Sequence, residues 1–263
     1  MISEKNVTDL KQLGRRRFLA RTAGGLGGLL LGSCDRLSQN LEFTDLLKSA
    51  EAVTRFAQQM VTGRSALARE YTEADLSPEF RANGTTEPSD PDYRRLAQND
   101  FADWRLEVGG LVERRHSFSL AELKELPSRT QITRHDCVEG WSCIGKWKGA
   151  ILGALLDLVG PLPEARYVMF YCADAMNLSG DKYYESIDLD GAYHAQTILA
   201  YEMNDRSLPV AHGAPLRLRY ERQLGYKMAK YVMRIELVAD FAQIGDGNGG
   251  YWEDQGYEWW AGI

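Results

Sequence analysis

The sequence predicts an α+β domain, mixed β-sheets with flanking short helices, on three observations. Its apolar runs are mostly short and rich in β-branched and aromatic residues, as in ARYVMFYCA (165–173) and KYVMRIELVAD (230–240). Long irregular connections, rich in Gly, Pro and polar residues, separate them. Helical periodicity occurs in only a few windows. Short apolar or alternating runs read as strands and three- and four-residue spacing as helices; an irregular mixture of the two reads as α+β.

In chain order, residues 1–33 read as an export signal. Arg15, Arg16, Arg17, Phe18 and Leu19 fit the twin-arginine pattern, and a glycine-rich apolar run follows over 23–32. That run is too short to span a bilayer stably, so it reads as cleavable. The twin-arginine route carries folded proteins and raises the expectation of a cofactor loaded in the cytoplasm. The expected location is the periplasm. LGSC (31–34) also resembles a lipobox, which would anchor the protein through acylated Cys34; ordinary cleavage nearby is the other reading.

Residues 34–80 are expected to form a helical N-terminal segment, with Leu46, Leu47, Ala50, Val53, Phe56, Ala57, Met60 and Val61 at helical spacing. The main domain is expected over 81–263. The polar, proline-bearing stretch 72–92 reads as extended loop. DWRLEVGGLVE (103–113) reads as two short strands around Gly109-Gly110. Ser119 and Glu122 have capping-box spacing and open a short helix that ends near Pro127. Then come a strand at 130–138, a helix at 151–159 stopped by Gly160-Pro161, and strands at 165–173, 197–203, 215–220 and 230–240. The tail GYWEDQGYEWWAGI (250–263) is aromatic, fit to pack over a core or cover a ligand.

Charge excludes one class. The whole chain is formally −6, and the first 33 residues hold six basic and two acidic side chains, so a chain cleaved before Cys34 is more acidic still. With no long basic run, nucleic acid is not a partner.

The cysteines point to chemistry. They are Cys34, Cys137, Cys143 and Cys172; removing or acylating Cys34 leaves an odd number in an oxidising compartment. RHDCVEGWSC (134–143) places His135, Cys137 and Cys143 close together. Four roles are open for Cys137: a zinc ligand with His135 and Cys143, although no CxxC or HxxxH pair supports it; half of a Cys137–Cys143 disulfide; a nucleophile beside His135; or the single soft thiolate on a metal whose organic cofactor supplies the remaining sulfurs.

HDCVEGWSCIGKWKGAILGALL, HGAPLRLRYERQLGYKMAK and GGYWEDQGYEWWAGI, taken together, resemble the sulfite oxidase superfamily of molybdopterin enzymes. The likeness is greatest to the bacterial periplasmic branch that includes the methionine sulfoxide reductase catalytic subunit, and it runs from about Asn83 to the C-terminus. It implies a sulfite-oxidase-type molybdopterin-binding fold, an oxidoreductase activity, molybdopterin as cofactor and Cys137 as the molybdenum ligand. It carries Asn83, Cys172, His212, Arg217, Met228, Ala229 and Lys230 onto the pterin contacts, and Cys143 becomes a packed small side chain. Tyr184 is placed at the metal's reactive face, with core packing as its alternative.

The implied reaction is oxygen-atom transfer. Sulfite-oxidising relatives hold their anion with arginines, whereas here the residues after Cys137 are VEGWS and Arg134 points to the opposite strand face. The expected substrate is therefore a small-molecule or protein-bound oxo compound of sulfoxide type, with sulfite dehydrogenase-like oxidation as the alternative. The sequence has no CxxCH and no flavin fingerprint, so an external electron-transfer partner is expected, a membrane b-type haem protein fitting the role. The chain ends just after the aromatic tail, which predicts a monomer. A non-catalytic exported binding protein stabilised by a Cys137–Cys143 disulfide is the contrasting expectation.

Overall fold

The computed structural model describes residues 65–177 and 179–263, with positions 53, 54, 56–58, 60 and 63. The twin-arginine segment, Cys34 and most of the expected 46–61 helix lie outside the described residues; positions 53, 54, 56–58 and 60 are helical. The chain divides into two compact units, Met1–Ala57 and Gln58–Ile263. The second carries all the elements below. That unit begins ahead of the expected boundary at 81: Glu70 bridges Thr133, and the Tyr71 amide donates to Ile132 O.

Two sheets, each of five strands, form that unit. The first has the order β2 (His116–Ser119), β1 (Arg105–Gly110), β10 (Val232–Val238), β5 (Tyr167–Ala175), β6 (Lys182–Asp188). Only β1 and β10 run parallel. The second has β3 (Ser128–Asp136), β4 (Ser142–Ile151) and β7 (Ile198–Met203), with β8 (Arg206–Ser207) and β9 (Arg217–Arg219) both pairing with β7. Among the described residues from 65 on, five α-helices flank them: α1 (Pro91–Gln98), α2 (Leu120–Glu125), α3 (Leu152–Val159), α4 (Leu189–Ala192) and α5 (Tyr251–Asp254). The α+β expectation holds.

Local chemistry explains several boundaries. Ser119 and Glu122 form a reciprocal capping box, worth about 1 kcal/mol, at the start of α2. α1 opens on Asp90, whose carboxylate accepts from Tyr93 N, with Pro91 in the first turn. Gly160 ends α3 in the left-handed region. Gly110 ends β1 at φ +79, and a Cβ there would lie 2.2 Å from Leu237 O. The chain therefore turns at Gly110 instead of beginning a second strand, and the partner of β1 is β2, further along.

The main core joins Leu106 and Val108 of β1, Ile235 and Leu237 of β10, and Val168 and Phe170 of β5 to Leu152, Leu155, Leu156 and Val159 of α3. Each of these side chains contributes about 1.5–3 kcal/mol by burial. A smaller cluster packs Phe80 and Trp147 against Ile198, Ala200, Met203 and Leu208.

β3 is unusual. Its buried face is the polar one: Gln131, Thr133 and His135 are buried, while Ile132 is half-buried. Gln131 Nε2 donates to Glu221 Oε1 at 2.8 Å, and His135 meets Arg219. A strand with a buried polar face needs such partners, and here it leads directly to Cys137.

Candidate active site

A cavity of about 240 Å³ collects chain from both sheets. Phe80, Arg81, Asn83, Gly84 and Thr85 enter from the loop before α1, and His135, Val138 and Glu139 from the end of β3 and its turn. Asp174 and Met176 come from the end of β5, and Tyr183 from β6. Ala211, His212, Arg217, Gly225, Tyr226, Met228 and Lys230 form another wall, and Trp252 and Tyr257 of the C-terminal tail complete the lining.

Cys137 lies at the start of the β3–β4 turn, where its amide donates to Trp141 O and its carbonyl accepts from Gly140 N. Its side chain is buried, and Sγ accepts from Asn83 Nδ2 at 3.0 Å. Burial raises its thiol pKa. A coordinated metal reverses that preference, since a ligating thiol is deprotonated. Lys230 Nζ donates to Asn83 O at 2.5 Å and also to Thr85 O, while the Tyr231 hydroxyl donates to Thr85 O at 2.8 Å. Lys230 and Tyr231 thus clamp the loop that holds Asn83 against the sulfur.

The opposite pole is basic. Arg217 and Arg219 both lie over the Trp147 ring, at 4.9 and 4.4 Å from its centroid. Glu221 neutralises Arg219 through paired contacts at 2.9 and 2.5 Å. Arg219 also donates to His135 Nδ1 at 3.0 Å. Burial, then the Arg219 charge, holds His135 well below its usual pKa, so the ring is neutral with its hydrogen on Nε2. Gly225 is obligatory beside it, because a Cβ there would lie 2.4 Å from His135 Nε2.

Arg217 donates from Nη1 to His212 O at 3.0 Å and from Nη2 to Met228 O at 3.4 Å, and its buried Nε has no hydrogen-bond partner. Burial, then neighbouring cations, pulls Arg217 down to about 9, Lys230 to about 7 and His212 to about 4. Three bases crowded and depressed in this way would be restored by an anion placed among them. Asp174 is the acidic counterpart. It is buried, its Oδ1 has no hydrogen-bond partner, and burial pushes its carboxyl up to about 6.

Asn83, His212, Arg217, Met228 and Lys230 line the cavity; Cys137 does not line it but lies directly behind Asn83, its Sγ 3.0 Å from Asn83 Nδ2 and its chain neighbour Val138 in the wall. Cys172 and Ala229 are buried in the core beside this wall and do not line the cavity. Tyr184 does not join the lining residues. It alternates away from Tyr183 on β6, its hydroxyl donates to Asp254 Oδ2, and it does not line the cavity. Tyr183 is the β6 tyrosine that does.

Cys137, Cys143 and Cys172 are all free thiols, so the alternative disulfide does not form. Cys143 pairs with His135 across the hairpin and packs beside the Phe80–Trp147 cluster. Among the described residues no group of three His, Cys, Asp or Glu side chains is placed to hold a metal, so the zinc reading finds no ligand set. Arg134 turns outward to Asp136 at 2.9 Å, as strand alternation requires. Sequence reasoning missed Arg81, Asp174 and Tyr183. Their distance from the quoted motifs gave no signal, although Asp174 follows Cys172 by one strand repeat.

The residues fit a molybdopterin. A lone soft thiolate with an amide donor suits a metal whose other ligands come from its cofactor. An orphaned guanidinium N–H suits the cofactor's phosphate, and an orphaned carboxylate oxygen suits pterin N–H groups. The fold and cavity therefore define a cofactor-binding redox enzyme. Residues 94–243 match the oxidoreductase molybdopterin binding domain, and the chain belongs to that family of molybdopterin-binding oxidoreductases.

An Azospira oryzae protein, provisionally named protein-methionine-sulfoxide reductase subunit YedZ1, is 38% identical over 98% of this chain and 92% of its own. The protein-methionine-sulfoxide reductase catalytic subunits MsrP of Xanthomonas axonopodis pv. citri and Campylobacter jejuni are 37% and 31% identical. Those matches cover 52% and 55% of this chain and only 46% and 52% of the MsrP chains. The sulfane dehydrogenase SoxCD of Paracoccus pantotrophus superposes over 53% of this chain and 39% of its own, with 23% identity and a TM-score of 0.47.

Proposed function

We propose that this protein is an exported molybdenum enzyme that reduces sulfoxides, methionine sulfoxide in proteins among them, with electrons from a separate redox partner. The observation that carries the reading is the lining of the cavity. Val138, Met176, Tyr226, Trp252 and Tyr257 give it an apolar and aromatic part, with Arg81 also in the lining. Such a lining suits a neutral thioether-sized group better than a small dianion. The names of the relatives support the same substrate class.

When bound, molybdopterin supplies two-electron oxygen-atom transfer. The chain's own residues do the rest. Cys137 Sγ serves as the protein's metal ligand, and Asn83 Nδ2 orients it. Arg217 Nε and the His212 ring hold the cofactor's phosphate, while the Lys230 clamp keeps the Asn83 loop in place. The apolar and aromatic lining orients the sulfoxide and excludes water. Asp174, close to half-protonated near pH 6, keeps a hydrogen-bonding carboxyl in the wall.

The twin-arginine motif supports export to the periplasm, with Cys34 as a lipid-anchor residue. A monomer served by a membrane b-type haem protein fits the absence of haem-attachment and flavin motifs from the sequence. The test uses protein purified from a host able to make the cofactor. Reduced viologen should be oxidised by methionine sulfoxide and by sulfoxide-bearing peptides. Turnover of sulfite with an electron acceptor, and not of sulfoxides, overturns the reading.

A further inference from the structure

Behind the cavity wall lies a charge cluster that the steps above do not use. Glu185 of β6, Lys227 of the 225–227 turn and Glu253 of α5 have fully buried carboxyl and ammonium ends. Lys227 Nζ lies 2.5 Å from Glu185 Oε1 and 2.5 Å from Glu253 Oε1, with the Trp259 ring over it at 5.2 Å. Two carboxyls share one ammonium. Fully ionised, the trio would leave an uncompensated negative charge away from water, which is strongly unfavourable.

Hydrogen-bond accounting locates the compensating proton. Glu253 Oε2 has no partner, so a proton there would have no acceptor. Glu185 Oε1 already accepts from Ser186 N at 2.7 Å and from Lys227. Glu185 Oε2 lies 3.2 Å from the Tyr183 hydroxyl. Tyr183 has one hydroxyl hydrogen, and its closer contact is the Tyr226 carbonyl, which can only accept. That hydrogen therefore serves Tyr226 O, and the contact between Glu185 and Tyr183 needs its hydrogen from Glu185.

We infer that Glu185 is a neutral carboxylic acid in the resting protein, its proton on Oε2 facing Tyr183, and that the two residues form a proton reserve for the cavity. Tyr183 lines the cavity and Glu185 stands behind it, acting through it. In use, the Tyr183 hydroxyl rotates from Tyr226 O toward the cavity and gives one of the two protons needed by the oxygen that leaves as water; the other comes from solvent. The Glu185 proton then moves to Tyr183 Oη. Glu185 is left as a carboxylate held by Lys227 and Ser186 N, and it regains a proton from solvent after product leaves. The pair undergoes no redox change; the external donor supplies the electrons. The other ionisable groups facing it are Glu253 of α5 and Cys172 and Asp174 of β5. Burial raises Glu185 well above the carboxylate range, Lys227 draws it down, and Glu253 raises it again.

The direction of proton flow rests on the sulfoxide-reductase reading; the protonation state does not. Infrared spectra of the holoenzyme near neutral pH should show the carbonyl stretch of a buried neutral carboxyl. The band should shift in heavy water, disappear in Glu185→Gln, and move in Tyr183→Phe, where the acid loses its acceptor. A proton on Glu253 would leave the band unmoved in Tyr183→Phe. In the sulfoxide assay, Glu185→Gln should lower kcat about tenfold or more and alter its pH profile, with KM and molybdenum content unchanged. A wild-type holoenzyme that reduces sulfoxides yet lacks the band, or a Glu185→Gln variant with wild-type kcat and pH profile, overturns the inference. A wild-type holoenzyme with the band but no sulfoxide reduction overturns the reductase reading and the proton delivery, and leaves the protonation of Glu185 established. Should Glu185→Gln fail to fold, the wild-type and Tyr183→Phe spectra decide.

Discussion

Cys137 is a buried thiol held by one amide donor, and its neighbour in sequence, Cys143, faces a different environment across the hairpin. The two should therefore respond differently. Cys137→Ser is expected to lose sulfoxide reduction, while Cys143→Ala keeps most of it and changes stability by about 1 kcal/mol or less. Equal loss of turnover in both would remove the distinction. Asp174 gives a prediction in pH. Its folded carboxyl is raised to about 6 from an ordinary 3.8, so the folded state binds the proton more tightly. Stability due to Asp174 is then full below about pH 4 and falls as pH rises to about 6, by on the order of 2 kcal/mol. In cofactor-free protein, Asp174→Asn should gain stability relative to wild type across that window and hold a constant difference above it. Chemical denaturation at a series of pH values checks this, and a pH-independent difference contradicts it. Cys137 and Arg217 were legible in the sequence because they sit inside long motifs. The choice between Tyr183 and Tyr184 was not: adjacent tyrosines on one strand face opposite ways, and only the strand's partners decide which one meets the cavity.

The site depends on three elements that meet from distant parts of the chain. The β3–β4 turn carries the thiol, the loop around Asn83 holds it, and the stretch after the 225–227 turn fixes that loop through Lys230 and Tyr231. Lys230→Met keeps the length of the side chain and removes its bonds to Asn83 O and Thr85 O. The 80–85 loop should then become more sensitive to proteolysis and more rapid in amide exchange, with the sheets unaffected. Unchanged exchange in that loop would show that Lys230 does not clamp it. β10, α2 and α3 were readable from alternation, a capping box and a glycine stop. β4 was hidden because SCIGKWKGAI mixes glycine and lysine into a strand whose role is to bring Trp147 beneath two arginines. Gly149 shows why: a Cβ there would lie 2.2 Å from Leu199 O, so close strand approach required the residue that weakens the strand signal.

At the scale of the whole molecule, two sheets and a main core position a cavity lined by neither sheet alone, with a buried thiol behind its wall and a basic pole. The long motifs made the family legible. The basic pole's depressed bases and orphaned Arg217 Nε appear only after folding, because burial and mutual repulsion create them. The proposed export belongs to this scale too. Replacing Arg16 and Arg17 together by Lys should retain the protein in the cytoplasm with its cofactor bound, and fractionation with molybdenum analysis checks it; unaltered export would exclude the twin-arginine route.

The most direct measurement is X-ray absorption at the molybdenum edge, comparing the purified holoenzyme with Cys137→Ser. The account predicts bound molybdenum in the wild type and one sulfur neighbour fewer in any metal retained by the variant. Protein without molybdenum, or a metal whose sulfur shell is the same in both, would contradict it.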